Sequence, residues 1–207
     1  MQMKKYAFLI VLVLVIGKVM AVEEAEYSVL IKDDNIELRQ YTAHIVAETL
    51  VYGEFENAGG MAFRPLFNYI SDQNTTRQNI AMTAPVAQQA QGEKIAMTAP
   101  VGQRKERDAW AVSFMMPSSY SMDTLPVPLN AHVTLREVPA QLVVALRYSG
   151  LWRDSTYQQH KDTLSQWIKD HNLLIAGEAM WARYDPPYIP WFMRRNEILI
   201  PVLREEH

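Results

Sequence analysis

The chain has 207 residues, with 20 Lys and Arg against 23 Asp and Glu, a formal charge of −3 at pH 7 and no cysteine. Nothing in that balance offers the basic stripe a nucleic-acid backbone calls for. The missing cysteine excludes disulfides, thiolate metal sites and a lipidated cysteine anchor.

Lys4-Lys5, an apolar run from Tyr6 to Ile16 and the small-residue end Val19-Met20-Ala21 read as a secretory signal peptide cut near Ala21. Gly17-Lys18 interrupts the run, which falls short of the roughly 20 apolar residues a membrane span needs. No membrane anchor is therefore expected after cleavage. Removing residues 1–21 takes away Lys4, Lys5 and Lys18 and no acid, moving the charge from −3 to −6. Export without disulfides suits a bacterial periplasm, or secretion, and leaves 22–207 as one domain or two small fused halves.

Tyr27, Val29 and Ile31 alternate with polar neighbours, and Asp33-Asp34-Asn35 makes a turn. Ile36–Tyr41 and Ile45–Tyr52 continue the strand pattern. A helix follows over Met61–Ile70, with Phe63, Leu66, Phe67 and Ile70 on one face. Pro65 is tolerated only in a first turn, so the helix is expected to begin after Gly59-Gly60.

The heptapeptide Ile-Ala-Met-Thr-Ala-Pro-Val then occurs twice, at Ile80–Val86 and Ile95–Val101, around the polar spacer Ala87–Lys94. Each copy alternates with strand period and ends at a proline, which cannot donate to a central ladder. Two short extended segments lying side by side are expected, closing a first half over about 27–101.

The second half, about 110–203, repeats the order. Trp110–Met116 is a strand, Pro117–Asn130 with its three prolines is a loop, and Val133–Val138 and Leu142–Tyr148 are strands joined at Pro139-Ala140-Gln141. Ser155-Thr156-Tyr157-Gln158 reads as a capping box opening a helix to about His171, with Tyr157, Leu164, Trp167 and Ile168 as its apolar stripe. Gly177–Tyr184 and Glu197–Val202 supply the last strands. Strands, helix, strands, twice over, is an α+β pseudo-duplication with two helices on curled antiparallel sheets.

Catalytic constellations are scarce: there is no Gly-x-Ser-x-Gly elbow, phosphate loop or His-Glu-x-x-His, and no carboxylate pair stands out as acid and base. The five histidines are dispersed, and His160 and His171, about three helical turns apart, cannot share a metal. No catalytic residue is assigned. Methionine is abundant, giving an adaptable apolar lining. Tyr184–Glu197 places Tyr188, Trp191 and Phe192 in a proline-stiffened loop followed by Arg194-Arg195. Two readings are open there. The aromatics plug the end of a barrel while the arginines pair with Glu37 or Glu197; or they border an apolar cleft with a cationic rim for a flat, acidic ligand.

Ile36–Tyr41, Phe63–Ile70, the Met-Thr-Ala-Pro-Val segments, Phe114–Ser118, Tyr184–Pro187 and Arg194–Glu197 together resemble the SOUL haem-binding protein family, in family order over roughly residues 27–203. The resemblance implies a distorted antiparallel β-barrel of two similar halves, each carrying one helix. It implies haem or another porphyrin held in a shallow apolar cleft, as carrier or buffer. The matching cleft positions are Phe63 and Phe67 on the helix, with Tyr184 and Ile189 in the loop. Where some members carry cations, this chain has Gly60, Asn68 and Ile189, so Arg64 and Arg194 stand in for the propionate partners. An axial histidine proposed in some members falls at Gln40; His44, nearby, is the metal-ligand candidate.

Two other readings are carried. Architecture alone also suits a binder or hydrolase of another amphipathic small molecule, which would need an acid–base pair such as Glu37 or Glu197 close to Tyr184. An envelope scaffold would instead expose Tyr188, Trp191 and Phe192 to a protein partner.

Overall fold

The computed structural model describes residues 22–76 and 92–205. In chain order the strands and helices are β1 (Tyr27–Asp33), β2 (Ile36–Tyr41), β3 (His44–Val51), α1 (Phe55–Ser71), β4 (Asn74–Thr75), β5 (Val101–Glu106) and β6 (Ala109–Met115). There follow β7 (Val127–Pro128), β8 (Val133–Val138), β9 (Gln141–Tyr148), α2 (Asp154–Asp170), β10 (Leu173–Ile175), β11 (Met180–Arg183) and β12 (Asn196–Arg204). The fold is mixed α+β, with two helices on a large antiparallel sheet.

The sheet has ten strands in the order β1-β2-β9-β12-β11-β5-β6-β3-β8, with β10 beside β12. The order repeats about the β11–β5 pair, where β3, β6 and β5 correspond to β9, β12 and β11. Each half lends its first strand to the other: β2 pairs with β9, and β8 with β3. The registers repeat too, since Val143 faces Arg39 as Val46 faces Arg136. On this pairing the first half runs through β6, past the Val101 boundary expected from the sequence. The described strands do not close into a barrel: β1 and β8 end the path.

Four strands escape sequence reading, among them the two-residue β4 and β7, the latter inside the expected loop Pro117–Asn130. β5, Val-Gly-Gln-Arg-Lys-Glu, has no apolar alternation, yet it is paired on both sides, by β6 and β11. β10 is only three residues long. Ile80–Val86 lies outside the described residues. The second heptapeptide copy is not a strand before Val101. It carries a single parallel bridge from Ala99 to Glu24 and is held by the Ile95 N–H on the Ile70 carbonyl (2.8 Å) and the Thr98 hydroxyl on the Met115 carbonyl. Ile95, Thr98 and Ala99 are buried. Its apolar period therefore reports packing under α1 rather than a ladder.

Helix α1 starts six residues before the expected Met61 and runs through Gly59-Gly60 and Pro65. Packing overrides the local breakers. Phe55, Ala58, Gly59, Ala62, Leu66, Tyr69 and Ile70 form a buried stripe of helical period. Pro65 forfeits one backbone bond, which the burial of that stripe offsets. Phe63 and Phe67 lie outside the stripe and stay exposed. In α2 the expected capping box does not form; the helix opens at Asp154 with no side-chain cap of its own. Instead the Glu56 carboxylate of α1 accepts the Asp154 N–H at 3.1 Å, so one helix caps the other.

Both helices cover one face of the sheet, α1 over β3, β6 and β8, and α2 over β9, β12 and β10. Beneath α1 pack Leu66, Tyr69, Ile70, Val112, Phe114 and Leu125. Beneath α2 pack Leu146, Leu164, Trp167, Trp181, Ile198 and Ile200. Phe55 joins the halves: it stacks on Trp181 at 4.5 Å and meets the edge of Trp110 at 5.2 Å. A third cluster, Tyr41, Val143, Ala145, Ala182 and Leu199, occupies the face turned away from the helices.

Candidate functional site

Strand alternation decides which chemistry faces which side. On the face away from the helices, β2 presents Arg39 and Tyr41, β12 presents Glu197, and the residue after β11 is Tyr184. Glu197 is 0% exposed. Its carboxylate accepts from Arg39 Nη1 (2.6 Å) and Nη2 (3.2 Å), from the Tyr184 hydroxyl (3.0 Å) and from Arg195 Nε (3.0 Å). Four bonds fill a carboxylate's acceptor sites. Burial pulls the Arg39 and Arg195 guanidiniums down, but the Glu197 charge more than offsets it and holds both above the usual arginine range. Burial pushes Tyr41 up to about 12, and burial with the Glu197 charge pushes Tyr184 well up. All these groups are held in one protonation state near neutrality. The Tyr184–Glu197 contact has the spacing of an acid–base pair, but no lone pair is left for a substrate proton.

The same face carries a second ionic group, in which Glu48 accepts from Arg104 (3.2 Å) and Arg136 (3.1 Å). Between the two groups lies a cavity of about 400 Å³, lined by Tyr41, His44, Val143, Met180, Tyr184 and Leu199 among others. His44 points into it. Its Nδ1 lies 3.1 Å from the Thr42 carbonyl, and burial, with Arg136, lowers its pKa. Among the described residues no three His, Cys, Asp or Glu side chains converge as metal ligands.

The helix-covered side holds the other expected positions. Phe63 and Phe67, one turn apart, stack with centroids 5.6 Å apart and planes inclined by 14°; Phe63 also meets Phe114 edge-on at 5.5 Å. Arg64 is exposed beside them. In the loop after β11, Arg194 donates Nε to the Ile189 carbonyl (2.7 Å) and Nη2 to that of Pro187 (2.6 Å), fixing the loop's shape. Its guanidinium lies 4.4 Å from the Trp152 ring, and that of Arg183 lies 4.8 Å from the same ring. Arg183 in turn touches α1 at Gly59, where a Cβ would sit 2.2 Å from its Nη1. Phe63 and Phe67 follow Gly59 at i+4 and i+8, along the exposed margin of the buried stripe whose Gly59 meets Arg183. Tyr188, Trp191 and Phe192 are exposed at the loop tip and plug nothing. Of the two arginines, Arg195 pairs with Glu197, as one sequence reading had it, and also with Glu24, which that reading did not name; Arg194 pairs with neither Glu37 nor Glu197.

The structure therefore brings Ile189 to Arg194 and Phe63 to Phe67, and sends Tyr184 and His44 to the opposite face of the sheet. Sequence reasoning missed Gly59, Gln103, Trp152 and Arg183. A signal was present: Arg183 shares its strand parity with Trp181, so a cation occupies an inward position.

Residues 22–201 match the sequence profile of the family described as SOUL heme-binding protein. The chain belongs to that family. This SOUL protein also resembles solved structures. It matches the C-terminal domain of EcmrR at 14% identity over 86% of this chain and 99% of that one, with a TM-score of 0.59. A hydrolase from Listeria innocua matches at 12% identity over 84% and 94%, with a TM-score of 0.56. EcmrR in an EcmrR–DNA complex matches at 13% identity over 82% and 57%, with a TM-score of 0.56. At such identities the likeness concerns the fold alone. No curated protein sequence matches the chain.

Proposed function

We propose that this SOUL protein binds haem or another tetrapyrrole without catalysis, on the surface bordered by α1 and the loop 185–194, and serves as a carrier or buffer in the cell envelope after cleavage near Ala21. The family assignment supports the ligand class. The observation that carries the site is the exposed Phe63–Phe67 pair, stacked with near-parallel planes, which offers aromatic surface to a flat ring. Covering the roughly 150 Å² those two rings leave open is worth on the order of 4 kcal/mol. Arg64, next to Phe63 in the chain, and Arg194 of the loop are the cations this reading assigns to acidic substituents. The filled acceptor sites of Glu197 support the non-enzymatic reading over a hydrolase built on Tyr184.

An absorbance titration of residues 22–207 with haemin, beside iron-free protoporphyrin IX, tests the reading. Saturable 1:1 binding of both, lost in Phe63→Ala/Phe67→Ala, is the expected result. Binding that survives the double substitution but is lost in Gln141→Trp moves the ligand to the cavity on the other face. Haemin-only binding calls for an axial ligand, with His44 the first residue to change. No binding of either ring removes the tetrapyrrole from the account. A second reading then takes over, carried by the exposure of Tyr188 (80%), Trp191 (53%) and Phe192 (60%): an apolar loop tip that contacts a partner protein.

A further inference from the structure

Arg183 is a partly buried cation with no carboxylate partner among the described residues. Its Nη2 donates to Gln103 Oε1 at 2.8 Å, a neutral partner that is itself oriented by donating Nε2 to the Phe55 carbonyl at 2.9 Å. Its Nη1 is pressed against the Gly59 backbone, in the positive N-terminal half of α1. Its Nε is sealed from solvent and has no hydrogen-bond partner among the described residues. The Trp181 Nε1 and the Tyr148 hydroxyl are in the same position. Both of those side chains are more than nine-tenths buried, at 0% and 7% exposed.

The three belong to one neighbourhood. The Arg183 guanidinium lies 4.0 Å from the Trp181 ring. Burial pushes the Tyr148 hydroxyl up, and Trp181 and Arg183 are the neighbours that draw it back. An indole N–H and a guanidinium N–H only donate, while the phenol O–H both donates and accepts. The Tyr148 oxygen can therefore serve Trp181, and the group as a whole is still short of acceptors. No carboxylate pairs with Arg183 among the described residues. Burial without a counter-charge lowers the Arg183 guanidinium to about 10. A single water supplies two lone pairs and no charge, whereas a carboxylate supplies about four lone pairs and the missing charge. Trp152, like Arg183, is only partly buried, and Arg194 also rests on its ring.

We propose that Arg183 anchors a carboxylate, received beside Trp152 with Arg194 as the outer cation of the pair. The carboxylate belongs either to a side chain of the bound tetrapyrrole or to a free small organic acid. The first source rests on the function proposed above; the second does not.

The test compares haemin with its dimethyl ester, and follows tryptophan emission with succinate, in wild type and Arg183→Met. If the ligand brings the carboxylate, wild type binds haemin at least tenfold more tightly than the ester. Arg183→Met then removes that ratio and leaves ester affinity unchanged. If a free acid is the ligand, succinate shifts the emission of Trp152 and Trp181 in wild type and not in Arg183→Met, whether or not haemin binds. Equal binding of haemin and ester, with no response to succinate, overturns the carboxylate site while tetrapyrrole binding stands. Silence from all three probes overturns both. Should Arg183→Met fail to fold, the wild-type arms decide alone. Arg183→Lys then serves as the second variant, since a point charge on a flexible stem should recover only part of the haemin-to-ester ratio.

Discussion

Two arginine clusters lie back to back in the same ladder and differ in one respect. In the β11–β12 pairing Ala182 stands opposite Glu197, and the next residue, Arg183, stands opposite Asn196. On the face away from the helices, Arg39 and Arg195 share the buried Glu197 carboxylate, with Tyr184 completing its bonds. On the helix-covered face, Arg183 meets an amide, two indole rings and a helix backbone. A buried charge that is paired is part of the scaffold. A buried charge that is unpaired is a standing demand for a ligand.

Breaking the paired cluster should have the largest effect. Glu197→Gln removes the fully buried anion shared by Arg39 and Arg195, leaving Arg39, 3% exposed, with only Glu37 at 2.9 Å. It is expected to lower unfolding free energy by about 3–5 kcal/mol in denaturant melts. A loss under about 1 kcal/mol would mean that the cluster is hydrated and not structural. Next in size, Phe63→Ala/Phe67→Ala should weaken porphyrin binding by roughly 100- to 1,000-fold, the equivalent of about 3–4 kcal/mol, while changing the melting midpoint far less than Glu197→Gln, because both rings are exposed. Arg183→Met sharpens the contrast directly. Removing an unpaired charge should change stability by no more than about 1 kcal/mol in either direction, against several for Glu197→Gln. Equal losses in the two variants would erase the distinction drawn here.

The smallest effect is a pH slope. Burial lowers the His44 and His160 imidazoles below their usual 6.5, so the unfolded chain takes up protons first as pH falls. Stability should therefore be complete above about pH 7 and decline through the range below 6.5 as the folded imidazoles lag. His44→Gln should flatten part of that decline, and an unchanged slope would place the effect elsewhere.

Much of this was legible along the chain. The strands around Tyr27–Tyr52, Trp110–Met116, Val133–Tyr148 and Glu197–Val202 carry apolar alternation because one face of each is buried, and all of them form. The stripe Tyr157, Leu164, Trp167 and Ile168 is the buried face of α2. Local rules failed where distant contacts decide. Gly59 and Pro65 read as breakers, yet α1 passes through both because Gly59 admits Arg183 and Leu66 reaches the core. The Ser155–Gln158 cap was superseded by Glu56, a residue 98 positions away. β5 was invisible because its place is secured by hydrogen bonds to β6 and β11, to which its side chains contribute no pattern.

By itself, the sequence determined the class of the fold, its two-fold repetition and the family, because apolar periodicity and ordered motifs are properties of short segments. Tertiary structure alone decided the exchange of β2 and β8 between halves, the open edges of the sheet and the side of the sheet on which each polar group stands. A strand's two faces are equivalent until a helix covers one of them. Only then does a one-residue step from Tyr184 to Arg183 separate a phenol bonded to a carboxylate from a cation with no carboxylate partner among the described residues.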